Sequence, residues 1–312
     1  MENLLQSVNF LFFLFLLIAM VATQLFINGI IAGAIYALMA SSFSLIYNIV
    51  KFMDLSPGAL FVVSAFSAYV FNVLFGLNFF LSLILALIIV SVVTIGINKF
   101  VYKPLRNKNA NNFILLLASF GVFLFITGFI LLIFGAEVKT FGLPIIKGYE
   151  IFGAIITKTQ IILIVTSLVL FLFLQLFMKT TRLGKAMRAL ADDRQVASAL
   201  GIKVEKTIAV TFIISALLAG IAGILVALEQ NLEHAMGFSV VLKGLTASIV
   251  GGIGNVPAAL VGGFLIGIIE NIGIWFLPSG YKDAIAFVIL ILFLLFRPRG
   301  LFGTKTREEV SG

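Results

Sequence analysis

The chain has 312 residues, of which 62% are hydrophobic and 11% are charged, and its mean hydropathy is +1.21. Soluble domains are about half apolar and about a quarter charged, so this composition excludes a soluble globular protein and predicts a polytopic membrane protein. The formal net charge of +8 does not indicate a nucleic-acid partner, because the cations form short interruptions between apolar runs, where they set membrane topology.

The length of the apolar runs predicts the fold class. Backbone polar groups must be paired inside a bilayer, which leaves helices or a closed β-barrel. The runs are about 20 residues long and do not alternate, so helices are predicted, in an all-α bundle of about 8–10 spans. We expect this bundle to form one domain over residues 1–312. The chain has no cysteine, which excludes disulfides and thiolate sites.

The first half of the chain contains five predicted spans. Val8–Ile27 lacks the basic residues that precede the apolar core of a signal peptide, so it is predicted to be a retained span. A hairpin then leads into a second span, Asn28–Val50. The other three spans are residues 58–76, 79–98 and 113–134. Residues 135–160 carry charges of both signs and are predicted to form a longer external loop.

The second half contains four predicted spans and one shorter segment. The spans are residues 161–178, 207–228, 257–276 and 284–296. The segment Thr246–Val256 is rich in glycine and is too short to cross a bilayer alone, so it is predicted to be a short or re-entrant element. Pro257 suits the first turn of the helix that follows.

The cations predict the orientation. Sixteen of the 21 basic residues lie at Lys51, in the loops at 99–108 and 179–206, or from Arg297 onward. Placing these in the cytoplasm satisfies the positive-inside rule. The other side then holds Lys139, Lys147, Lys158, Lys243 and Lys282. An even number of crossings follows, about ten if the glycine-rich segment counts, with both termini in the cytoplasm.

The longest polar interval, residues 179–206, is predicted to be a loop that carries a short helix. Asp192 can accept hydrogen bonds from the free N–H groups at a helix start while Gln195 reaches back, and Gly201 can end the helix in the left-handed conformation. These signals predict a helix over residues 193–200. One face of it carries Val196, Ala199 and Leu200. Because the rest of the chain is a membrane body, we expect another protein to bind here.

Three spans carry small residues at every fourth position. This spacing places each set on one helix face, where small side chains let two backbones approach closely. The sets are Gly29, Gly33, Ala37 and Ser41; Ser215, Ala219, Gly223 and Ala227; and Ala259, Gly263, Gly267 and Asn271. They predict a compact bundle rather than a substrate site.

Asp54 lies between two apolar spans, in the run Asp54-Leu55-Ser56-Pro57-Gly58. An ionisable group inside a span costs about 2.5–3.5 kcal/mol on insertion scales, so it calls for an explanation. One interpretation is a broken segment that lines a translocation pathway. The other is an ordinary helix start. The residues leave both interpretations open.

Glu270 lies late in the 257–276 span and either faces a pathway or extends its carboxylate to the membrane surface. The glycines at 251–254 are not a phosphate loop, because no G-x-x-x-x-G-K-[ST] run occurs in the sequence. No catalytic or metal-binding constellation can be assembled, so we do not expect an enzyme. The residues predicted to line a pathway are Asn28, Asp54, Ser56, Gly58, Gly252 and Glu270.

Several stretches match a known family. They are Asn28–Gly33 with Tyr36–Leu38, Asp54–Ala59, Gly184–Ala189 through Leu200–Ile202, Lys243–Gly254, Gly262-Gly263, Tyr281–Asp283 and Arg297–Gly303. In these stretches the chain resembles the integral membrane permeases of branched-chain amino acid ABC transporters, specifically the shorter of the two paired permeases. The resemblance covers most of the chain from residue 27 onward, and the glycine run and the C-terminal Arg-Pro-x-Gly-Leu-x-Gly are its most specific parts.

The resemblance implies an ATP-driven importer in which this chain translocates leucine, isoleucine and valine across the cytoplasmic membrane. It implies as partners a homologous second permease, two ABC ATPase subunits and an extracytoplasmic solute-binding protein, with membrane lipid around the bundle and no nucleic acid. The ATPases would use the ATP, and this chain would bind no cofactor.

In that family the cytoplasmic loop after the middle spans docks the ATPase. The residues of this chain that map to the docking site are Gly184, Arg188, Asp192, Asp193, Val196, Ala197, Leu200 and Gly201.

The run from Asp54 to Gly58 departs from the family, which commonly has an Asn-Phe-Ala-His-Gly-like run at this place. It is closer to the Asp-Leu-Ser-x-Gly run of related sugar permeases, whereas the C-terminal match favours amino acids. An ABC permease for another small solute, such as another amino acid, an amide, urea or a sugar, is therefore an alternative. A stand-alone secondary transporter is a further one.

Overall fold

The computed structural model describes residues 2–142, 148–151 and 153–302, except for the side chains of residues 2–17 and of Ile151. These residues form twelve α-helices, two π-helical turns, one 3-10 helix and one β-hairpin. The helices are α1 Glu2–Val50, α2 Ser56–Tyr69, α3 Phe79–Ile97, α4 Lys103–Asn107, α5 Asn112–Phe134, α6 Lys158–Thr180, α7 Arg182–Asp192, α8 Arg194–Ala199, α9 Val204–Glu229, α10 Met236–Gly251, α11 Val256–Gly273 and α12 Lys282–Phe296. The π-helical turns Val70–Leu74 and Asn98–Tyr102 extend α2 and α3, the 3-10 helix Ser279–Tyr281 precedes α12, and the strands β1 Tyr149–Ile151 and β2 Ala154–Ile156 pair antiparallel.

Eight helical segments in the described part of the chain are long and apolar enough to cross a membrane. They are Ile18–Val50, Ser56–Leu74, Phe79–Asn107, Asn112–Phe134, Lys158–Thr180, Val204–Glu229, Val256–Gly273 and Ser279–Phe296. Helix α10 is apolar but has 16 residues, which makes it about 24 Å long and shorter than the ~30 Å hydrocarbon core of a bilayer. The predicted all-α polytopic bundle is confirmed.

The predicted hairpin between Val8–Ile27 and Asn28–Val50 is wrong, because α1 is one continuous helix of 49 residues. The polar side chains at the expected break lie on one helix face instead, where Gln24 Nε2 donates to Asn28 Oδ1 at 3.1 Å. The residues between these two include no glycine or proline that would start a turn. The two predicted crossings are therefore a single helix.

The glycine-rich segment Thr246–Val256 belongs mostly to a longer helix, α10, which begins well before it. Gly252 and Gly254 then have φ angles of +132° and +82°, which side chains rarely tolerate, and they turn the chain from α10 into α11. The predicted position of Pro257 in the first turn of α11 is confirmed, and Asn255 is the N-cap of that helix.

The first and third small-residue sets bring α1 and α11 together. A Cβ atom added to Gly263 would overlap the backbone of Ala37, and one added to Gly267 would overlap the backbone of Gly33. The two helices therefore touch backbone to backbone, as the spacing predicts. This contact places α1 at the centre of the bundle, where it also packs against α6, α9 and α10.

The second set packs α9 against its neighbours. The hydroxyl groups of Ser42 on α1 and Ser215 on α9 lie 2.6 Å apart, and a Cβ at Gly223 would overlap the carbonyl group of Phe61 on α2. Helices α3, α5, α6 and α12 lie outside these and expose large apolar side chains, among them Phe80, Leu132, Phe173 and Phe296. The outer helices therefore present an apolar surface suited to lipid or to another membrane subunit.

The contacts of α1 define the two ends of the bundle. The backbone N–H of Ile155 in β2 donates to Gln24 Oε1 at 2.8 Å, and we call this the hairpin end. At the other end of α1, Lys51 is close enough to α7 for the Asp192 carboxylate to act on it, and we call this the loop end. Burial lowers the pKa of Lys51, and the charge of Asp192 opposes that shift.

The region predicted to be a loop, residues 135–160, contributes to the hairpin end. It contains the β-hairpin, and Lys139 forms an isolated β-bridge with Leu232, which follows α9. Residues 143–147, which include Lys147, lie outside the described residues.

Candidate functional site

Helix α7 makes a tight corner with the end of α6. The Thr181 hydroxyl caps α7 by accepting from the N–H of Gly184 at 2.9 Å. A Cβ on Gly184 would overlap the carbonyl oxygen of Phe177, so a larger side chain would push the two helices apart. Of the predicted docking residues on this helix, Gly184 is therefore buried in the corner and Arg188 is exposed.

Helix α8 is capped by Asp193, and the prediction that Asp192 caps it is wrong by one residue. Asp193 Oδ1 accepts from the N–H groups of Gln195 and Val196 at 2.8 and 3.0 Å. Asp192 is the last residue of α7, whereas Asp193 has the extended backbone that a cap requires. The helix is Arg194–Ala199 rather than 193–200, and Gly201 follows it with φ of +83°, as predicted for a helix end.

The side chains of α8 divide between the bundle and its surroundings. Val196 and Leu200 are 54% and 75% exposed, and Ala199 is exposed beside them. Ala197, another predicted docking residue, is only 1% exposed and attaches the helix to the bundle. The predicted exposed apolar face is confirmed for Val196, Ala199 and Leu200.

One carboxylate joins α8 to the membrane helices. Glu205, in the first turn of α9, binds Arg194 of α8 at 3.3 Å and Arg106 of α4 at 3.1 Å. The Arg106 side chain is buried, and it also donates to Asn98 Oδ1 at 3.0 Å. A displacement of α8 would therefore act directly on α9 and α4 through Glu205.

Asp54 is held at the start of α2 by its neighbours. Its carboxylate accepts from Tyr102 Oη at 2.6 Å and from the N–H and hydroxyl of Ser56 at 2.9 and 2.8 Å, while the N–H of Leu55 donates to Ser119 Oγ. The N–H groups of Leu55 and Ser56 at this helix start are thus taken by protein side chains. Burial raises the pKa of the Asp54 carboxyl, and the hydrogen bonds from Tyr102 and Ser56 oppose the shift.

Two other predicted pathway residues lie at helix contacts. A Cβ on Gly58 would overlap the side chain of Val241, so Gly58 lets α2 approach α10. Gly252 ends α10 next to Gly251, whose carbonyl accepts from the N–H of Phe302 at 2.9 Å. Neither residue lies in the lining of the polar cavity at the hairpin end.

That cavity has a volume of about 330 Å³ and is lined by residues of α1, α6, α9, α10, α11 and α12. Its position follows from α6 and α9, which contribute residues from the ends that lie away from α7 and α8. Of the predicted pathway residues, it brings together Asn28 and Glu270. Sequence reasoning did not assign the other polar lining residues to a pathway, namely Tyr36, Gln160, Glu229, Gln230, Ser239, Lys243, Asn271 and Lys282.

Lys243 lies at the centre of a group of charged side chains beside the cavity. Its Nζ binds Glu270 Oε1 at 2.7 Å and Asp283 Oδ1 at 2.8 Å, and it lies 5.4 Å from the centre of the Tyr36 ring. Glu270 is 1% exposed, so the suggestion that it extends to the membrane surface is wrong. Lys282 donates to Asn271 Oδ1 at 3.2 Å. The sequence signal that could have indicated this ion pair is a lysine and a glutamate in successive apolar segments, because an ionisable group at membrane depth needs a partner.

The fold and these sites define a class of protein. A multi-pass helical bundle with charged groups buried beside a polar cavity is the architecture of a membrane transport component. The described residues contain no group of three or more potential metal ligands.

Comparisons with known proteins identify the family. The chain belongs to the branched-chain amino acid transport system permease component family, whose model matches residues 25–294. The permease protein BraD of the high-affinity branched-chain amino acid transport system of Pseudomonas aeruginosa is 32% identical, with 92% of this chain and 97% of the relative covered. The corresponding protein LivH is 30% identical in Salmonella typhimurium and in Escherichia coli K12, with 98% of this chain and 100% of each relative covered. The chain is therefore a multi-pass inner-membrane transport component.

Proposed function

We propose that this chain is the permease subunit of an ATP-driven importer that carries branched-chain amino acids into the cell. The relatives that match almost the whole chain are named for branched-chain amino acid transport, and this supports leucine, isoleucine and valine as cargo. Its partners in the proposal are a second, homologous permease, two ABC ATPase subunits and an extracytoplasmic solute-binding protein. The apolar outer helices offer the surface for the second permease and for lipid.

Helix α8 is the observation that carries the coupling part of the proposal. It is capped at Asp193, is tied to the bundle by Ala197 and Glu205, and exposes Val196 and Leu200. Exposed apolar side chains on a short, braced helix suit a protein partner, because they gain free energy when they are covered. In the proposal the ATPase binds these side chains, and its closure on ATP moves α8 against α9 and α4.

The proposal has the chain bind no ATP or other cofactor itself. Its sequence has no phosphate-binding G-x-x-x-x-G-K-[ST] run. The ATPase subunits therefore bind and hydrolyse the ATP, and this chain supplies the moving membrane pathway.

We orient the loop end toward the cytoplasm, because most of the cations lie there. The C-terminal part lies at the same end, since the N–H groups of Leu301 and Phe302 donate to the last turn of α10. The start of α1 belongs on the outside, because α1 runs without a turn from beyond the β-hairpin to Lys51. The proposed outside position of the start of α1 replaces the expectation that both termini are cytoplasmic. That expectation depended on the predicted hairpin between Val8–Ile27 and Asn28–Val50.

A double substitution on α8 tests the coupling role. In V196D/L200D, the two charges should abolish co-purification of the ATPase with this chain, because a carboxylate buried in an apolar interface has no partner. Ser198→Asp is the matched control, since Ser198 is exposed on another face of the same helix. We expect normal membrane levels for both variants, and normal ATPase binding for Ser198→Asp. ATPase binding by V196D/L200D at the wild-type level would refute the docking site.

A stand-alone secondary transporter is the second candidate, and the buried ion pair Lys243–Glu270 favours it, because such transporters use ionisable groups at membrane depth. Purified chain in liposomes distinguishes the two. Leucine uptake without ATP or partners would support the secondary transporter, whereas uptake only in the complete system supports the importer.

A further inference from the structure

The cavity at the hairpin end combines charged groups with an apolar wall. Glu229, Lys243, Glu270 and Lys282 contribute two negative and two positive charges to its lining, which are balanced overall. Ile31, Ile35 and Val240 line the same space. Its volume of about 330 Å³ is at the lower end of the range for small-molecule sites, so it suits one small solute.

Glu270 has an unused hydrogen-bonding atom in this site. Its Oε1 accepts from Lys243 at 2.7 Å, but its Oε2 is buried and has no hydrogen-bond partner among the described residues. A buried carboxylate oxygen without a partner is destabilising, and a cationic donor would relieve it. The Lys243 ammonium donates to Oε1 and to Asp283 Oδ1 and makes no hydrogen bond to Oε2.

We propose that this cavity binds the zwitterionic head group of an amino acid. Glu270 Oε2 accepts from the α-ammonium group, Lys243 and Lys282 face the α-carboxylate, and the aliphatic side chain lies against Ile31, Ile35 and Val240. This inference rests on the proposed function and adds to it, since it assigns the cargo a binding site on this chain before the solute crosses the bundle.

The charges favour a zwitterion over other small solutes. A sugar or an amide carries no charge, so it would offer no ion pair to Glu229 or Lys282, whose hydrogen bonds go to the neutral side chains of Gln160 and Asn271. An anion would meet Lys243 and Lys282 but would be repelled by Glu270 and Glu229. A solute that carries an ammonium group and a carboxylate on the same carbon satisfies both sets at once.

Photolabelling tests this site in the assembled transporter. Membranes from cells that express the chain with its transporter partners are irradiated with a leucine analogue that carries a diazirine in its side chain. We expect labelled peptides from α1 or α10 around Ile31–Ile35 or Val240. Excess leucine should displace the label, whereas 4-methylpentanoate, which lacks the ammonium group, and isopentylamine, which lacks the carboxylate, should each compete at least about tenfold less well.

Two variants and one control make the test specific. Glu270→Gln removes the charge with little change in shape, and we expect at least about a tenfold loss of labelling. Ala32→Phe fills the cavity and leaves its charges in place, and it should cause a similar loss. Glu137→Gln removes an exposed carboxylate from the same end of the bundle, where it binds Lys139, and should label like the wild type.

The outcomes separate this inference from the proposed function. Wild-type membranes that take up no leucine with ATP would overturn the proposed function. Two outcomes would overturn the binding site alone, provided that the wild type takes up leucine. One is labelling of both Glu270→Gln and Ala32→Phe at the wild-type level, and the other is label found only outside the cavity. If Glu270→Gln does not reach the membrane, the labelling of Ala32→Phe and the competition by the two analogues decide whether the cavity is the binding site.

Discussion

The hairpin end and the loop end of the bundle both hold ion pairs, but in different surroundings. At the hairpin end the side chains of Lys243 and Glu270 are 10% and 1% exposed, whereas at the loop end those of Arg194 and Glu205 are 55% and 38% exposed. Solvent screens the second pair much more than the first. The comparison teaches that the Lys243–Glu270 pair holds charge away from water beside the cavity, as a solute site requires, whereas the Arg194–Glu205 pair lies at a surface that can meet a partner.

Breaking the buried pair should have the largest effect. Lys243→Met leaves the Glu270 carboxylate buried without its cation, and losing one partner of a buried pair costs about 3–5 kcal/mol. We expect a large drop in the thermal unfolding midpoint of the detergent-purified protein. A midpoint equal to that of the wild type would show that the pair is not buried as described.

The double variant K243M/E270M is the control for that result. With both charges gone, no buried carboxylate is left without its cation, and Asp283, which also loses Lys243, has a side chain that is 59% exposed to solvent. Much of the stability should therefore return even though solute handling does not. A double variant as unstable as Lys243→Met would instead attribute the loss to packing around residue 243.

Tyr102→Phe should have an intermediate effect on stability. This substitution tests a buried carboxylate, Asp54, in the half of the bundle toward the loop end. The change keeps the ring between Phe52 and Phe212 and removes only the hydroxyl that donates to Asp54. Asp54 keeps its two bonds from Ser56, so we expect a loss of about 1–3 kcal/mol, measured as a lower unfolding midpoint. An unchanged midpoint would mean that the start of α2 does not depend on this bond.

Arg194→Met should have the smallest effect on stability. The arginine is mostly exposed and Glu205 keeps its bond to Arg106, so the loss should be at most about 1 kcal/mol. If the link through Glu205 transmits motion, the same variant should lower leucine-stimulated ATP hydrolysis by the complete transporter while ATPase binding stays normal. A large loss of stability would contradict the contrast between the two ends.

Much of the membrane body could be predicted because hydropathy and small-residue spacing are local properties. Gly33, Ala37, Gly263 and Gly267 were placed at helix contacts by spacing alone, and the structure brings them together across α1 and α11. The helix α8 was predicted from its cap and its terminal glycine, with an error of one residue, because Asp192 and Asp193 are both able to cap and only the backbone conformation chooses between them.

The predictions failed where the answer depended on distant residues. The hairpin in α1 was inferred from a count of crossings alone, but a helix is broken by turn residues, and the polar side chain of Gln24 finds a partner one turn away at Asn28. The ion pairs of Lys243 were not predicted, because its partners lie 27 and 40 residues further along the chain, at Glu270 and Asp283.

The sequence by itself determined that this protein is a helical membrane bundle, where most of its crossings lie, where the short capped helix lies, and which family it resembles. These follow from composition, periodicity and local hydrogen bonding, which act over a few residues. Only the tertiary structure decided which polar residues share a cavity and which are locked in helix contacts. Burial and ion pairing depend on the packing of six helices around one space, and a linear pattern does not contain that arrangement.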